Sequence, residues 1–407
     1  MFTHQVPITN LFSRTCFKFP WLKKLLTAFV ICHSFFFASA QSDTCRLRVS
    51  LLTCGPGQDL YSIWGHTGVR LIDSGRGADV VFNYGTFDDS DPLFYIKFTR
   101  GIMMYSVTPS TFTDFMEEYK YFKRSVIEQV LNLDCNTKIE LQKALWKNTE
   151  EQNKFYPYHF YADNCTTRAR DMLINHIHPA PQFKNIRPQP GSTTYRQLIH
   201  SYMNGSTQAW NRFGIDILLG NHLDEPMDNR QAMFLPEYLL KGLDSALLLQ
   251  YPLVKEKLIL LPDAQPGNKM FFTPIFLFSF LLVIMLALSL VKNPVARKAL
   301  WTLDSLFFLI VGLLGMLMLT LWIARVDSVC RNNYNLLWAL PTHAVMMFVT
   351  TRKKQWVKYY WLFTVILNTL LLLSWKWIPQ EMNNSILLLL AILIFRSLAR
   401  YRKLNKS

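Results

Sequence analysis

Residues 158–173 read Tyr-His-Phe-Tyr-Ala-Asp-Asn-Cys-Thr-Thr-Arg-Ala-Arg-Asp-Met-Leu. Asp163 or Asn164 suits the N-cap of a helix that begins at Cys165, since either side chain can accept from a free N–H of the first turn. Ala169, Met172, Leu173 and Ile177 then fall at helical spacing from Cys165 and face the core with it. A thiol at such a helix start has its thiolate favoured by the macrodipole and by free backbone N–H groups. That effect is about 0.3–1 kcal/mol, well under one pKa unit, so a neighbouring imidazolium has to supply the rest of any activation. The same N–H groups can form half of an oxyanion hole. A buried, inert cysteine at a helix start is the competing reading.

The imidazole comes from upstream. Residues 62–71 read Ser-Ile-Trp-Gly-His-Thr-Gly-Val-Arg-Leu, with His66 at the mouth of a strand and approachable past the missing side chain of Gly65. A single histidine in such a place is more often structural than catalytic. His66 and Cys165 are also 99 residues apart, so only the fold can bring them together.

Around these segments the pattern is mixed. Cys45–Thr53 alternates like a strand and is broken by Gly55-Pro56-Gly57. Val69–Ile72 and Val80–Tyr84 are short β-rich runs on either side of the turn Asp73-Ser74-Gly75-Arg76-Gly77. Phe112–Tyr121 and Thr137–Lys154 read as helices, and Pro179–Ser192, with four prolines, reads as a long loop. Residues 41–270 are therefore expected to form one α+β domain with few strands.

The rest of the chain belongs to a membrane. Of 407 residues, half are hydrophobic and 17% charged, too few charges for a simple soluble enzyme. The net charge of +15 does not signal a nucleic-acid partner, because residues 41–270 hold 24 Lys/Arg against 25 Asp/Glu. The excess sits in residues 271–407, with 15 basic residues against 3 acidic ones. Five apolar stretches are expected there to form an all-α bundle of about five transmembrane helices: Phe271–Val291, Leu300–Ala324, Asn335–Val349, Tyr359–Trp375 and Ser385–Leu398. Lys and Arg concentrate after the first, third and fifth, which places the C-terminus in the cytoplasm and residues 41–270 outside it. Residues 1–40 read as a secretory signal, with Lys23-Lys24, an apolar run from Leu25 to Phe37, and Ala38-Ser39-Ala40 before Gln41.

Five cysteines fall outside the cytoplasm on this reading (45, 54, 135, 165 and 330), an odd number that leaves at least one thiol, and Cys165 is the natural one to stay free. Cys135 looks like a strand end. No His/Cys spacing suggests a metal site, and no cofactor is implied.

The order of a strand histidine followed by a helix-opening cysteine resembles the circularly permuted papain-like, NlpC-type fold, on which lecithin:retinol acyltransferase and its relatives run thioester chemistry on lipids. More closely, the chain resembles Lnb, the lipoprotein N-acyltransferase family of Bacteroidota. The resemblance rests on Leu51-Leu-Thr-Cys-Gly-Pro-Gly57, Trp64-Gly-His-Thr67 with Arg70, Phe82-Asn83-Tyr84-Gly-Thr-Phe-Asp88 and Asn164-Cys-Thr-Thr-Arg168 with Asp171. It extends to Phe213-Gly-Ile-Asp216 with Leu219-Gly220, to Met233-Phe-Leu-Pro-Glu237-Tyr, and to Asn333-Tyr-Asn-Leu-Leu-Trp338 in the membrane part.

The resemblance implies transfer of an acyl chain from a membrane phospholipid to the α-amine of the S-diacylglyceryl cysteine of an apolipoprotein, in the inner membrane. His66 would deprotonate Cys165, and Asn83 or Tyr84 would orient the imidazole. Arg70 and Arg168 are candidates to hold a phosphate, or else form ion pairs with Asp73 or Asp171, and Asn164 is a further substrate-binding candidate. Asp216, Asp224 and Glu237 are placed at the seam between the domain and the membrane. Two other classes compete, a membrane-anchored cysteine hydrolase of peptidoglycan or proteins and a non-catalytic envelope assembly factor or sensor. Oligomeric state is not legible.

Overall fold

The computed structural model describes residues 45–59, 61–88, 90–203, 207–263, 271–349 and 355–405. The targeting segment, the Arg352-Lys353-Lys354 run and Lys406 lie outside the described residues. From Arg46 onward the chain is one compact unit.

An N-terminal α/β part is built on a seven-stranded sheet. In chain order its strands are β1 (Leu47–Cys54), β2 (His66–Asp73), β3 (Ala78–Thr86), β4 (Met104–Thr111), β5 (Val126–Leu131), β6 (Phe155–Pro157) and β7 (Val254–Leu261). They lie side by side as β6-β4-β3-β2-β1-β5-β7, every neighbour antiparallel. The expectation of few strands is therefore corrected. The outer strands were hidden because they carry little apolar alternation. Of the β7 sequence Val-Lys-Glu-Lys-Leu-Ile-Leu-Leu, no residue is fully buried. In β4, Pro109 sits beyond the three-residue β6, where the outer side is an open edge that tolerates a missing N–H.

Strand alternation gives the sheet two cores. On one face Val49, Leu51, Val69, Leu71, Phe82 and Tyr84 pack against helices α3 (Cys135–Asn148) and α4 (Cys165–Ile174) through Leu141, Leu145, Ala169 and Leu173. On the other, Leu52, Cys54, Val81 and Val126 pack against α2 (Phe112–Tyr121) through Phe115, Met116 and Tyr119. A short helix, α1 (Phe94–Arg100), precedes β4. Cys135 opens α3 behind its N-cap Asp134, so it is a helix start and not a strand end. Cys45 and Cys135 are each disulfide-bonded, while Cys54, Cys165 and Cys330 are free thiols.

After α5 (Tyr195–Ser201), α6 (Ala209–Leu218), α7 (Asn229–Ala232) and α8 (Pro236–Ser245) comes the helical region: α9 (Pro274–Leu290), α10 (Pro294–Ala324), α11 (Thr342–Val349), α12 (Gln355–Leu373) and α13 (Ile386–Asn405). Of these, α10 and α12 are long and apolar enough to cross a membrane, and α9 is apolar but 17 residues long. The stretch expected as a third span splits into a 3₁₀ turn, Tyr334–Leu337, and α11, with Pro341 between them. Gly312 and Gly315 of α10 let the backbone at Ala344 and Ala339 approach so closely that a Cβ has no room, the small-residue contact expected between membrane helices. Asp304 of α10 is buried and takes both Nε (2.7 Å) and Nη2 (2.8 Å) of Arg396 from α13, which satisfies its charge inside the bundle.

Candidate active site

The start of α4 is rigidly made. Asn164 Oδ1 accepts from Thr167 N (2.9 Å), and Thr167 Oγ1 accepts from Asn164 N (2.8 Å), a reciprocal capping box. The Asn164 amide also donates to the carbonyls of Phe160 and Phe234. Asn164 is thus a buried capping residue, both of whose amide hydrogens are engaged by backbone carbonyls. Between the two Thr hydroxyls, Thr67 Oγ1 to Thr166 Oγ1 (3.0 Å), the helix start is tied to β2 next to His66.

Cys165 is half-buried at this junction. Burial pushes its thiol up, against hydrogen bonds from the Thr166 hydroxyl and from the backbone N–H groups of Thr67, Thr166 and Cys165 itself. Gly85 faces it from β3 with φ +92°, and a Cβ there would stand 3.2 Å from that of Cys165. A glycine is needed on both counts, for the left-handed backbone and for the space.

His66 opens β2, but on the other side of the pleat. Gly68, two residues on, faces Val81, Asn83 and Phe115, which belong to the α2 side of the sheet. The imidazole follows the same phase, and its Nε2 lies 3.4 Å from Asn83 Oδ1. Asn83 is in turn held by Ser110, to whose Oγ its amide donates (3.0 Å). Burial, with the charge of Arg124, lowers the His66 pKa to about 4 against a weaker opposing hydrogen bond to Asn83. The thiol and the imidazole therefore share one end of β2 and are both neutral at rest. The imidazolium that the sequence required for activation is not there. The sulfur's side-chain hydrogen-bond partner is Thr166 Oγ1 (3.8 Å) and the imidazole's is Asn83, so no hydrogen bond joins the thiol to the imidazole.

The remaining candidates disperse. Tyr84 points to the α3 side and donates to Asn148 Oδ1 (2.8 Å), so it does not orient the imidazole. Arg70 is buried between Asp79 (2.8 and 2.6 Å) and Glu128 (3.0 Å) and lies flat on Phe112 at 3.3 Å. Its guanidinium has no face left for a phosphate, and neither Asp73 nor Asp171 is its partner. Arg168 pairs with Asp163, also outside the expected pair, and covers the Tyr156 ring at 4.1 Å. About a third of its side chain stays open to water, on the thiol's own helix three residues after Cys165. Thr67, Thr166 and Gly85 went unread as site residues, although Gly85 stands in the quoted Asn83-Tyr84-Gly85 run. Among the described residues no grouping of three or more His, Cys, Asp and Glu side chains could hold a metal ion.

The seam with the helical region is a buried polar network. Arg196 of α5 bonds Asp224 (2.9 Å), Asp216 (3.4 Å) and the carbonyls of Leu219 and Gly220. His200 Nε2 lies 2.6 Å from Asp216 Oδ1, and Asn383 donates to Asp216 Oδ2 (2.9 Å). Asn333 and Asn335 reach across to the Ile217 and Asp216 carbonyls (2.6 and 2.9 Å). Asp216 and Asp224 belong to this seam. Glu237 instead pairs with Lys241 on α8. A cavity of about 900 Å³ opens beside the network, bordered by Arg212, Glu381, Asn383 and Trp375, and neither Cys165 nor His66 lines it.

These features define a membrane-embedded protein whose α/β domain offers a half-buried thiol at a capped helix start. Residues 37–201 match the Lnb N-terminal periplasmic domain, and residues 266–407 match the Lnb transmembrane domain. The chain belongs to the Lnb family, with a periplasmic domain ahead of a membrane domain. No curated protein and no solved structure matches it.

The protonation states make a direct prediction. Iodoacetamide should alkylate Cys165 slowly at pH 6–7, with a rate that climbs through pH 9 and has no inflection near 6.5, the free value of histidine. Burial pushes Cys54 up to about 12 and Cys330 to about 11, so peptide mapping should find Cys165 labelled first. Fast, pH-independent alkylation between pH 5 and 7 would instead reveal a resting thiolate–imidazolium pair.

Proposed function

We propose that this chain is an apolipoprotein N-acyltransferase that works through an acyl-thioester on Cys165. The observation that carries the proposal is the Cys165 thiol itself, half-buried at the capped start of α4, with Thr166 Oγ1 3.8 Å from its sulfur and in turn bonded to Thr67, the neighbour of His66 on β2. Membership of the Lnb family supports an enzyme, and the joined membrane domain supports a lipid substrate.

In the first half-reaction His66 takes the thiol proton as the sulfur attacks an ester carbonyl of a membrane phospholipid. The C–O bond breaks, and the departing lysophospholipid oxygen takes the proton back from the imidazolium. The N–H groups of Thr67, Thr166 and Cys165 supply the donors for the oxyanion. In the second half-reaction the α-amine of a diacylated lipoprotein attacks the thioester. An amide forms, the C–S bond breaks, and the amine's proton passes through His66 to the sulfur. Asn83 positions the imidazole, and Arg168, partly exposed on the first turn of α4, is the cation best placed for a donor phosphate. The permuted papain-like arrangement, five membrane crossings and a cytoplasmic C-terminus complete this reading.

The test is mass spectrometry of the N-terminal peptide of a resident lipoprotein, in a host lacking its own N-acyltransferase and supplied with this chain or its Cys165→Ala form. The expected result is a triacylated peptide with the unmodified chain and a diacylated one with Cys165→Ala. Diacylated peptide in both would remove the acyltransferase reading and leave the cysteine hydrolase in front.

A further inference from the structure

We infer that helix α1 is immersed in the outer leaflet of the membrane and delivers the acyl chain of a bilayer lipid to Cys165. None of the seven residues of α1 is buried, yet it and the residue before it expose Leu93, Tyr95, Ile96 and Phe98, with Tyr95 80% exposed. A free helix of that composition gains nothing from water and would not hold its place. This one is fixed to the end of the spanning helix α10. Val326 N donates to the Arg100 carbonyl (3.0 Å), and the Arg325 guanidinium donates to the Phe98 carbonyl (2.9 Å). The Asp327 carboxylate, paired with Arg325, lies against Gly101, 2.7 Å from where a Cβ would stand.

The occupant of this face follows from continuity. On α10 and just past it, Ile323 (75%) and Val326 (63%) are exposed and belong to the surface that a spanning helix turns to lipid. Basic residues Arg297 and Lys298 lie at the opposite end of α10, so α1 is attached at the end toward the periplasmic domain. An apolar helix held at that level takes acyl chains and headgroups as its solvent.

From α1 a run of rings leads inward. Phe94 stacks with Phe98 (6.3 Å) and meets Phe87 (5.9 Å); Phe87 meets Tyr105 (5.2 Å), and Tyr105 stacks on Tyr158 (4.2 Å). Tyr105, Tyr158 and Cys165 then pack on one core. The rings form an apolar surface from the bilayer to the sulfur, whereas the seam cavity touches neither.

Immersion is tested by nitroxide labels at Tyr95→Cys, Ile96→Cys and, as an aqueous control, Glu140→Cys, each in the full chain carrying Cys165→Ser in lipid nanodiscs. Power saturation should show labels 95 and 96 favouring oxygen over a water-soluble nickel chelate by at least threefold, and label 140 the reverse. Labels at 95 and 96 that behave like 140 overturn the inference. The delivery role rests on the acyl-transfer reading and is measured with Cys165 intact. Tyr95→Asp/Ile96→Asp should lower the thioester yield at least tenfold in nanodiscs, with iodoacetamide labelling of Cys165 unchanged. An unchanged yield overturns delivery. No thioester in the unmodified chain counts against the acyl-transfer reading alone, since the label depths are read independently.

Discussion

Replacing His66 by Gln should slow acylation of Cys165 about 100- to 1,000-fold at pH 7, and the loss should shrink about tenfold per pH unit toward pH 9. The reason lies in the resting protonation. The Cys165 thiol is held above its ordinary value of 9.0, so at neutral pH about 1% or less is thiolate. The neutral imidazole must therefore remove the proton during attack. Because the His66 pKa is lowered to about 4, the basic form is present above that value and is lost only as pH falls through it. The unmodified chain should then hold its rate from pH 7 down to about 5, where an unshifted histidine would already have lost most of its base form. Glutamine can still hydrogen-bond Asn83, so the strand end keeps its shape, while hydroxide replaces the base as pH rises. Intact-mass measurement of thioester formation in nanodiscs between pH 5 and 9.5 reads all of this. Parallel pH profiles for the two forms would assign His66 a structural role only. Asn83→Ala should cost about tenfold, and Tyr84→Phe nothing, since the phenol serves Asn148 on the opposite face.

What the sequence carried into this site was local. Asn164 as N-cap, Cys165 as the first helical residue and Ala169 and Leu173 on the inner stripe all follow from a 3.6-residue period and side-chain reach within one turn. The Phe112–Tyr121 helix was equally legible, bounded by Thr111, whose side chain caps it through Asp114 N. Where the information is non-local, it failed. Arg70 looked open because Glu128 lies 58 residues away and two strands over in the sheet order, with β1 between β2 and β5. Alternation shows that His66 shares a face with Gly68 and Arg70, but no local pattern tells which face α4 will cover. Asn333 and Asn335 drew notice only as family motifs. In the folded chain they donate to the Asp216 and Ile217 carbonyls, at the end of another of those motifs, and so lock the two together.

Arg196→Ala should destabilise the protein by about 3–5 kcal/mol, much more than Arg70→Ala. Arg196 is completely buried, and removing it strips its guanidinium from Asp216 and Asp224 together and takes one donor from each of the Leu219 and Gly220 carbonyls, of which Leu219 keeps Gln380 (3.1 Å). Burial already raises the Asp224 carboxyl, and the contact with Arg196 is the main influence against it. At Arg70 the consequences differ. Glu128 keeps Arg48 at 3.1 Å, and Asp79, with 37% of its side chain exposed, can turn to water. Thermal unfolding of the two variants in one detergent, followed by size-exclusion fluorescence, measures the contrast, and equal losses would refute it. Because Asp216 also holds Asn383 and its own carbonyl takes Asn335, the Arg196 variant should loosen the grip between α6 and the membrane helices before the sheet unfolds. Proteolysis near residues 209–225 should therefore rise in Arg196→Ala at temperatures where the sheet domain is still intact, and stay at the unmodified level in Arg70→Ala.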